Sequence, residues 1–123
     1  MSDFHGLPVC SLSNALIELD CLATGGPRIV RLRYKGSDNL LAEVPQISVP
    51  TPFGTYHYLG GHRLWHAPEA APRSYIPDDA GLDTVHEIPS GLLLTGKVEP
   101  GTGIRKRIEI WLEPDKARVA VEP

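Results

Sequence analysis

The chain has 123 residues, 41% of them hydrophobic and 22% charged, with a formal net charge of −3. That length fits one domain with a modest core, and the acidic balance speaks against a nucleic-acid partner. No run approaches the ~20 apolar residues that a membrane span needs, so no membrane partner is expected. Two cysteines, Cys10 and Cys21, are too few for a disulfide framework. Met1-Ser2-Asp3-Phe4-His5 lacks the basic start and apolar run of a secretory signal, so a cytoplasmic protein is expected.

Twelve glycines and twelve prolines are spread along the chain and predict many short elements joined by turns. Residues 1–11, with Gly6 and Pro8, read as an irregular lead-in. From Leu12 the pattern alternates, with Ala15, Ile17, Leu19 and Cys21 on one face and Glu18 and Asp20 on the other. Ala23-Thr24-Gly25-Gly26-Pro27 is a turn. Arg28 to Tyr34 alternates again, with Val30, Leu32 and Tyr34 opposite Arg31 and Arg33. After the polar turn Lys35 to Asn39, Leu40-Leu41 restarts a short strand. From Val44 to Pro52 three prolines forbid a helix or a central strand, and the segment reads as a long loop.

Ala67 to Gly81, with Pro68, Pro72 and Pro77, reads as a second long loop. Strands then follow over Thr84–Ile88 and through Leu92, Leu94 and Val98. A long strand places Ile108, Ile110 and Leu112 inside, and Arg105-Lys106-Arg107 reads as its solvated part. Pro114-Asp115-Lys116 closes a last hairpin into Ala117–Glu122. No stretch shows a 3.6-residue apolar period, so fewer than about a tenth of residues should be helical. The fold class is all-β, an antiparallel β-sandwich over residues 1–123 as a single or partial domain.

Gly60-Gly61-His62-Arg63-Leu64-Trp65-His66-Ala67-Pro68-Glu69 is the densest stretch in functional groups, and the two long loops bracket it. Arg63 is a forked donor, Trp65 or Tyr75 a flat face, Glu69 an acceptor and His62 a near-neutral acid. Together they suit a polyhydroxylated ligand. The alternative is that Leu64 and Trp65 are core and that Arg63 pairs with Glu69. His57, His62 and His66 stand five and four apart, without the short fixed spacing or the cysteines of a tetrahedral site, so no metal is expected. No nucleophile elbow and no phosphate-cradling loop occurs, and no cofactor is expected. Asp78-Asp79 with Asp83 reads as a solvated loop rather than a catalytic carboxylate pair.

Leu12-Ser13-Asn14 leading into a strand, the Gly25-Gly26 turn, Arg28-Ile29-Val30 and Asn39-Leu40-Leu41 resemble the opening of galactose mutarotase-like (aldose 1-epimerase-like) proteins. Gly60 to Trp65 with Pro68-Glu69, then Gly91-Leu92-Leu93-Leu94-Thr95-Gly96 and the last two strands, extend the likeness from about Leu12 onward. The resemblance implies the N-terminal portion of a large antiparallel supersandwich. In the epimerases of that family a glutamate acts as base on the anomeric hydroxyl and a histidine protonates the ring oxygen. Both normally come from beyond the portion matched here, and Arg63 and His62 match substrate-contacting positions. The expectation is a carbohydrate-binding domain that is not catalytically complete alone. One alternative is an aldose 1-epimerase whose other half is supplied elsewhere, with His62 as acid and Glu69 as the nearby carboxylate. Another is a structural or interaction module. A sugar or sugar derivative is the expected ligand, and open sheet edges predict a homo-oligomer.

Overall fold

The computed structural model describes residues 3–64, 68–71, 73–79 and 81–123. It is all-β with antiparallel sheets in a sandwich-like arrangement, with 54% of the described residues in strand and 3% in helix. Among the described residues no helix is long and apolar enough to cross a membrane.

The first sheet runs in the order β1 (Asp3–Phe4), β2 (Leu7–Ser13), β3 (Ile17–Leu22), β4 (Arg28–Tyr34) and β7 (His62–Arg63). The second runs β11 (Val119–Glu122), β10 (Arg107–Leu112), β9 (Gly91–Gly96) and β8 (Leu82–Ile88). A separate two-stranded ribbon pairs β5 (Glu43–Thr51) with β6 (Gly54–Gly60). Leu19, Cys21 and Ile29 of the first sheet meet Leu92, Leu94, Ile108 and Ile110 of the second in the main core. On the first sheet's other face Phe4, Leu22 and Val30 pack with Leu59 of the ribbon. The first sheet is therefore buried on parts of both faces.

Beyond β9, which ends at Gly96 and leaves Val98 exposed rather than inside, four features of the first sheet and the ribbon differ from the sequence reading. The irregular lead-in expected over residues 1–11 is, from Asp3 onward, a hairpin: Phe4 pairs with Leu7, and His5 and Gly6 turn it at φ 50° and 90°. Two consecutive positive φ values suit the twist of a tight hairpin, and His-Gly is a weaker cue than Asn-Gly. Val44 to Pro52 is not a loop but most of β5. Its prolines are tolerated because a ribbon strand pairs on one side only, Pro50 standing opposite Thr55.

Leu40-Leu41 forms no strand. Asn39 Oδ1 instead accepts from the backbone N–H groups of Leu32 and Leu41, and its Nδ2 donates to the Val30 carbonyl. The side chain takes β4 hydrogen bonds that a neighbouring strand would otherwise make. Finally, the β3–β4 register shifts at Asp20/Cys21, where Arg31 pairs with Asp20 and Ile29 with Cys21. The extra residue is Val30, so Val30 joins Arg31 on the back face while Leu32 and Ile29 share the front. The alternation expected for Val30 and Leu32 breaks there.

The last hairpin forms as expected, with Ile110 opposite Val121 and Leu112 opposite Val119. Val119 and Val121 pack against the main core. Asn14 ties the two sheets at one end, donating to the carbonyls of Glu113 and Lys116.

Candidate ligand-binding site

The chain leaves the ribbon and enters the first sheet through Gly60 and Gly61, at φ 101° and 76°. A Cβ on Gly60 would stand 1.9 Å from the Ala42 carbonyl oxygen, and one on Gly61 2.1 Å from that of Ile29. Both positions require glycine twice over, for φ and for the close approach. Two residues later β7 pairs with β4, Arg63 opposite Arg28 and His62 opposite Ile29.

Beneath this crossing lies a buried polar knot. Arg28 is 1% exposed. Its Nη1 donates to the carbonyls of Tyr58 and Gly60 at 2.8 and 2.7 Å. Its Nη2 donates to both Asp78 carboxylate oxygens at 2.9 Å and to the Tyr56 hydroxyl at 3.1 Å. Burial alone would lower the Arg28 pKa, but Asp78 and then Tyr56 outweigh it and hold the guanidinium above its usual range. Arg63 donates to the Tyr56 hydroxyl at 2.5 Å and to the Ser74 carbonyl at 2.9 Å, and its Nε stands 3.8 Å from Asp78. Its guanidinium also lies 4.9 Å from the centre of the Tyr56 ring.

Asp78 is therefore not part of a solvated loop. It is the shared counter-ion of two arginines, and its backbone carbonyl accepts from Gly26 at 2.7 Å. Nor does Arg63 pair with Glu69. Glu69 accepts from the Tyr75 hydroxyl at 2.7 Å. That hydrogen bond raises the Tyr75 pKa above 10.0. Asp79 stands 3.1 Å from His57 Nδ1, although that nitrogen makes no aligned hydrogen bond.

Two clefts adjoin here, the first bordered by Arg28, Tyr56 and Arg63 of the knot itself. One, of about 370 Å³, is lined by Val44, Tyr56, Tyr58 and the His62 segment. The other, of about 390 Å³, lies between the ribbon residues Val49 to Pro52 and Tyr58, Ala71 and Tyr75. Tyr58 borders both. The rings of Tyr58 and Tyr75 are 6.0 Å apart, and Tyr56 lies 5.3 and 5.5 Å from them.

No family model, no curated protein and no solved structure matches this chain.

The expected site residues thus fall in two places. His62 is exposed at the mouth of the first cleft, and Tyr75 and Glu69 are joined beside the second. Arg63 turns its donors to Tyr56, Ser74 and Asp78. Trp65 lies outside the described residues, as does His66. Among the described residues no three His, Cys, Asp or Glu side chains gather as a metal site. Sequence reasoning missed Tyr58 and Arg28. Tyr58 had a usable signal, since Tyr56 and Tyr58 are two apart on a strand and must share a face. Arg28 had none, because its partners Tyr58, Gly60 and Asp78 lie 30 to 50 positions away.

Proposed function

We propose that this chain binds a sugar or sugar derivative along the tyrosine-lined groove, without turning it over unaided. The observation that carries the reading is Tyr58. It forms a wall common to both clefts and stands beside Tyr75, whose hydroxyl is anchored on Glu69. Aromatic faces offer apolar area to the C–H side of a pyranose, while a fixed hydroxyl, a carboxylate and an imidazole offer hydrogen bonds at its rim. The order of motifs along the chain supports a galactose mutarotase-like ancestry. The reading also keeps the protein in the cytoplasm, where Cys10 and Cys21, opposed across β2 and β3 but unlinked, would remain thiols.

A second reading, aldose 1-epimerase action completed by another chain, draws on the exposure of His62 beside the first cleft. Against unaided turnover stands Glu69, whose carboxylate is engaged by Tyr75 rather than held ready as a base. Binding should be weak, in the millimolar range and worth roughly 4 kcal/mol. The test is chemical-shift perturbation with a panel of aldoses beside a polarimetric assay of anomer exchange. Shifts centred on Tyr58, His62 and Tyr75 that vanish in Tyr58→Ala are expected, with no exchange above the buffer rate. Shifts that avoid these residues would remove the site. Exchange abolished by His62→Ala would establish the second reading.

A further inference from the structure

The exposed strand edges of the described residues are closed in different ways, and one is closed least. Strands β1 and β7 are two residues long, and β5 carries Pro45 and Pro50. On β6, the carbonyls of Tyr58 and Gly60 are taken by Arg28. Strand β8 is irregular at its start, Leu82/Thr84, and carries the charged Asp83 and Glu87 along its length. These are the ordinary protections of a sheet edge. Strand β11 is the least protected: over its four residues it pairs with β10 in unbroken register and contains no proline, Pro123 standing just past its end.

The direction of its free groups follows from two hydrogen bonds. Leu112 N–H donates to Ser90, towards β9, and Glu113 N–H donates to Arg118, towards β11. Backbone groups alternate along a strand. Residues 118, 120 and 122 therefore turn to β10, and Val119 and Val121 present their N–H and C=O groups along the open edge.

We infer that β11 pairs antiparallel with β11 of a second copy of this chain, about a two-fold axis at Ala120. Val119 then faces the second copy's Val121, the pair that exchanges both hydrogen bonds, and symmetry makes four. Arg118, which within its own chain stands 3.3 Å from Glu113, faces the second copy's Glu122, and symmetry makes two ion pairs. Within residues 118–122 no other register does this. A slip of two residues sets Arg118 or Glu122 opposite Ala120, and a slip of one turns the valines to the wrong face.

Two further features favour this occupant. Within one chain Glu122 lies directly opposite Glu109, an unfavourable like-charge pair that an arginine alongside would relieve. Under the open edge, a groove of about 140 Å³ runs between Val119, Ala117 and the first sheet. It is bordered by Tyr34 and Leu40, which are 51% and 72% exposed. The valines of an added strand would extend the core over that apolar ground.

Sedimentation equilibrium across a concentration series tests this. The wild-type chain should dimerise. Arg118→Glu should weaken the dimer about tenfold or more, and adding Glu122→Arg should restore it. Val121→Pro should abolish the dimer, because it deletes an outward N–H without touching the β10 ladder. Circular dichroism and thermal melting confirm that each variant is folded; Arg118 is exposed, so its reversal decides the matter if the proline variant does not fold. Ala120→Cys should also form a covalent dimer on oxidation where wild type does not, since non-hydrogen-bonded partners stand about 4.5 Å apart at Cα. A monomer at every concentration, or a dimer indifferent to the Arg118 and Glu122 reversals, would overturn the inference.

Discussion

Replacing Asp78 with alanine isolates what the buried knot contributes. The substitution removes two hydrogen bonds of 2.9 Å from Arg28 and leaves its guanidinium, 2% exposed at the side chain, without a counter-ion. Breaking a buried pair by deleting one partner costs about 3–5 kcal/mol. Arg28 retains three oxygen acceptors, on Tyr58, Gly60 and Tyr56, so the lower end, about 3 kcal/mol, is expected. Asp78→Asn, which keeps the shape and one acceptor, should cost roughly half of that. Because a small domain is stable by only about 5–15 kcal/mol, the alanine variant should lower the urea midpoint by about 1–2 M. Equilibrium unfolding followed by tryptophan fluorescence and far-ultraviolet circular dichroism gives the number. A loss under about 1 kcal/mol would refute the reasoning, since water would then be replacing the carboxylate.

Three other outcomes follow from the same physics. Ile110→Ala, at a position with no exposed surface in the main core, should cost about 2–5 kcal/mol in the same assay. Gly61→Ala should destabilise by more than about 1 kcal/mol, because the methyl meets the Ile29 carbonyl and the backbone stands at φ 76°. Tyr75 should titrate above 10.0 when followed by its ultraviolet absorbance, and Glu69→Gln should bring it down. Its folded pKa is raised, so the stability linked to it is complete below its unfolded value and is lost as pH rises through the folded one. A Tyr75 titration unmoved by Glu69→Gln would break the assignment of that hydrogen bond.

Much of the sandwich was legible because its evidence was local. Ile108, Ile110 and Leu112 alternate with charged or aromatic neighbours, and Pro114-Asp115-Lys116 announces the turn that brings Val119 and Val121 alongside. What escaped was decided across distance. No pattern within β4 says that Val30 will be the extra residue of a bulge, because the bulge exists only against Asp20 and Cys21. The prolines of β5 argue correctly against a central strand, but not against a ribbon. At the candidate site the glycines, His62 and Tyr75 drew notice for their chemistry. Asp78 looked like loop polarity because its partners are not the nearby Arg73 but arginines that arrive from β4 and β7.

The bulge also bears on how the protein breathes. Ile29 belongs to the core between the sheets and Val30, one peptide further, to the cluster under the ribbon. Separating either pair of layers therefore strains the same few backbone amides that the other pair holds in place. Amide exchange at residues 29 and 30 should require opening of the whole domain, and their protection should track its global stability. The ribbon amides facing solvent should exchange through smaller openings that leave both clusters intact.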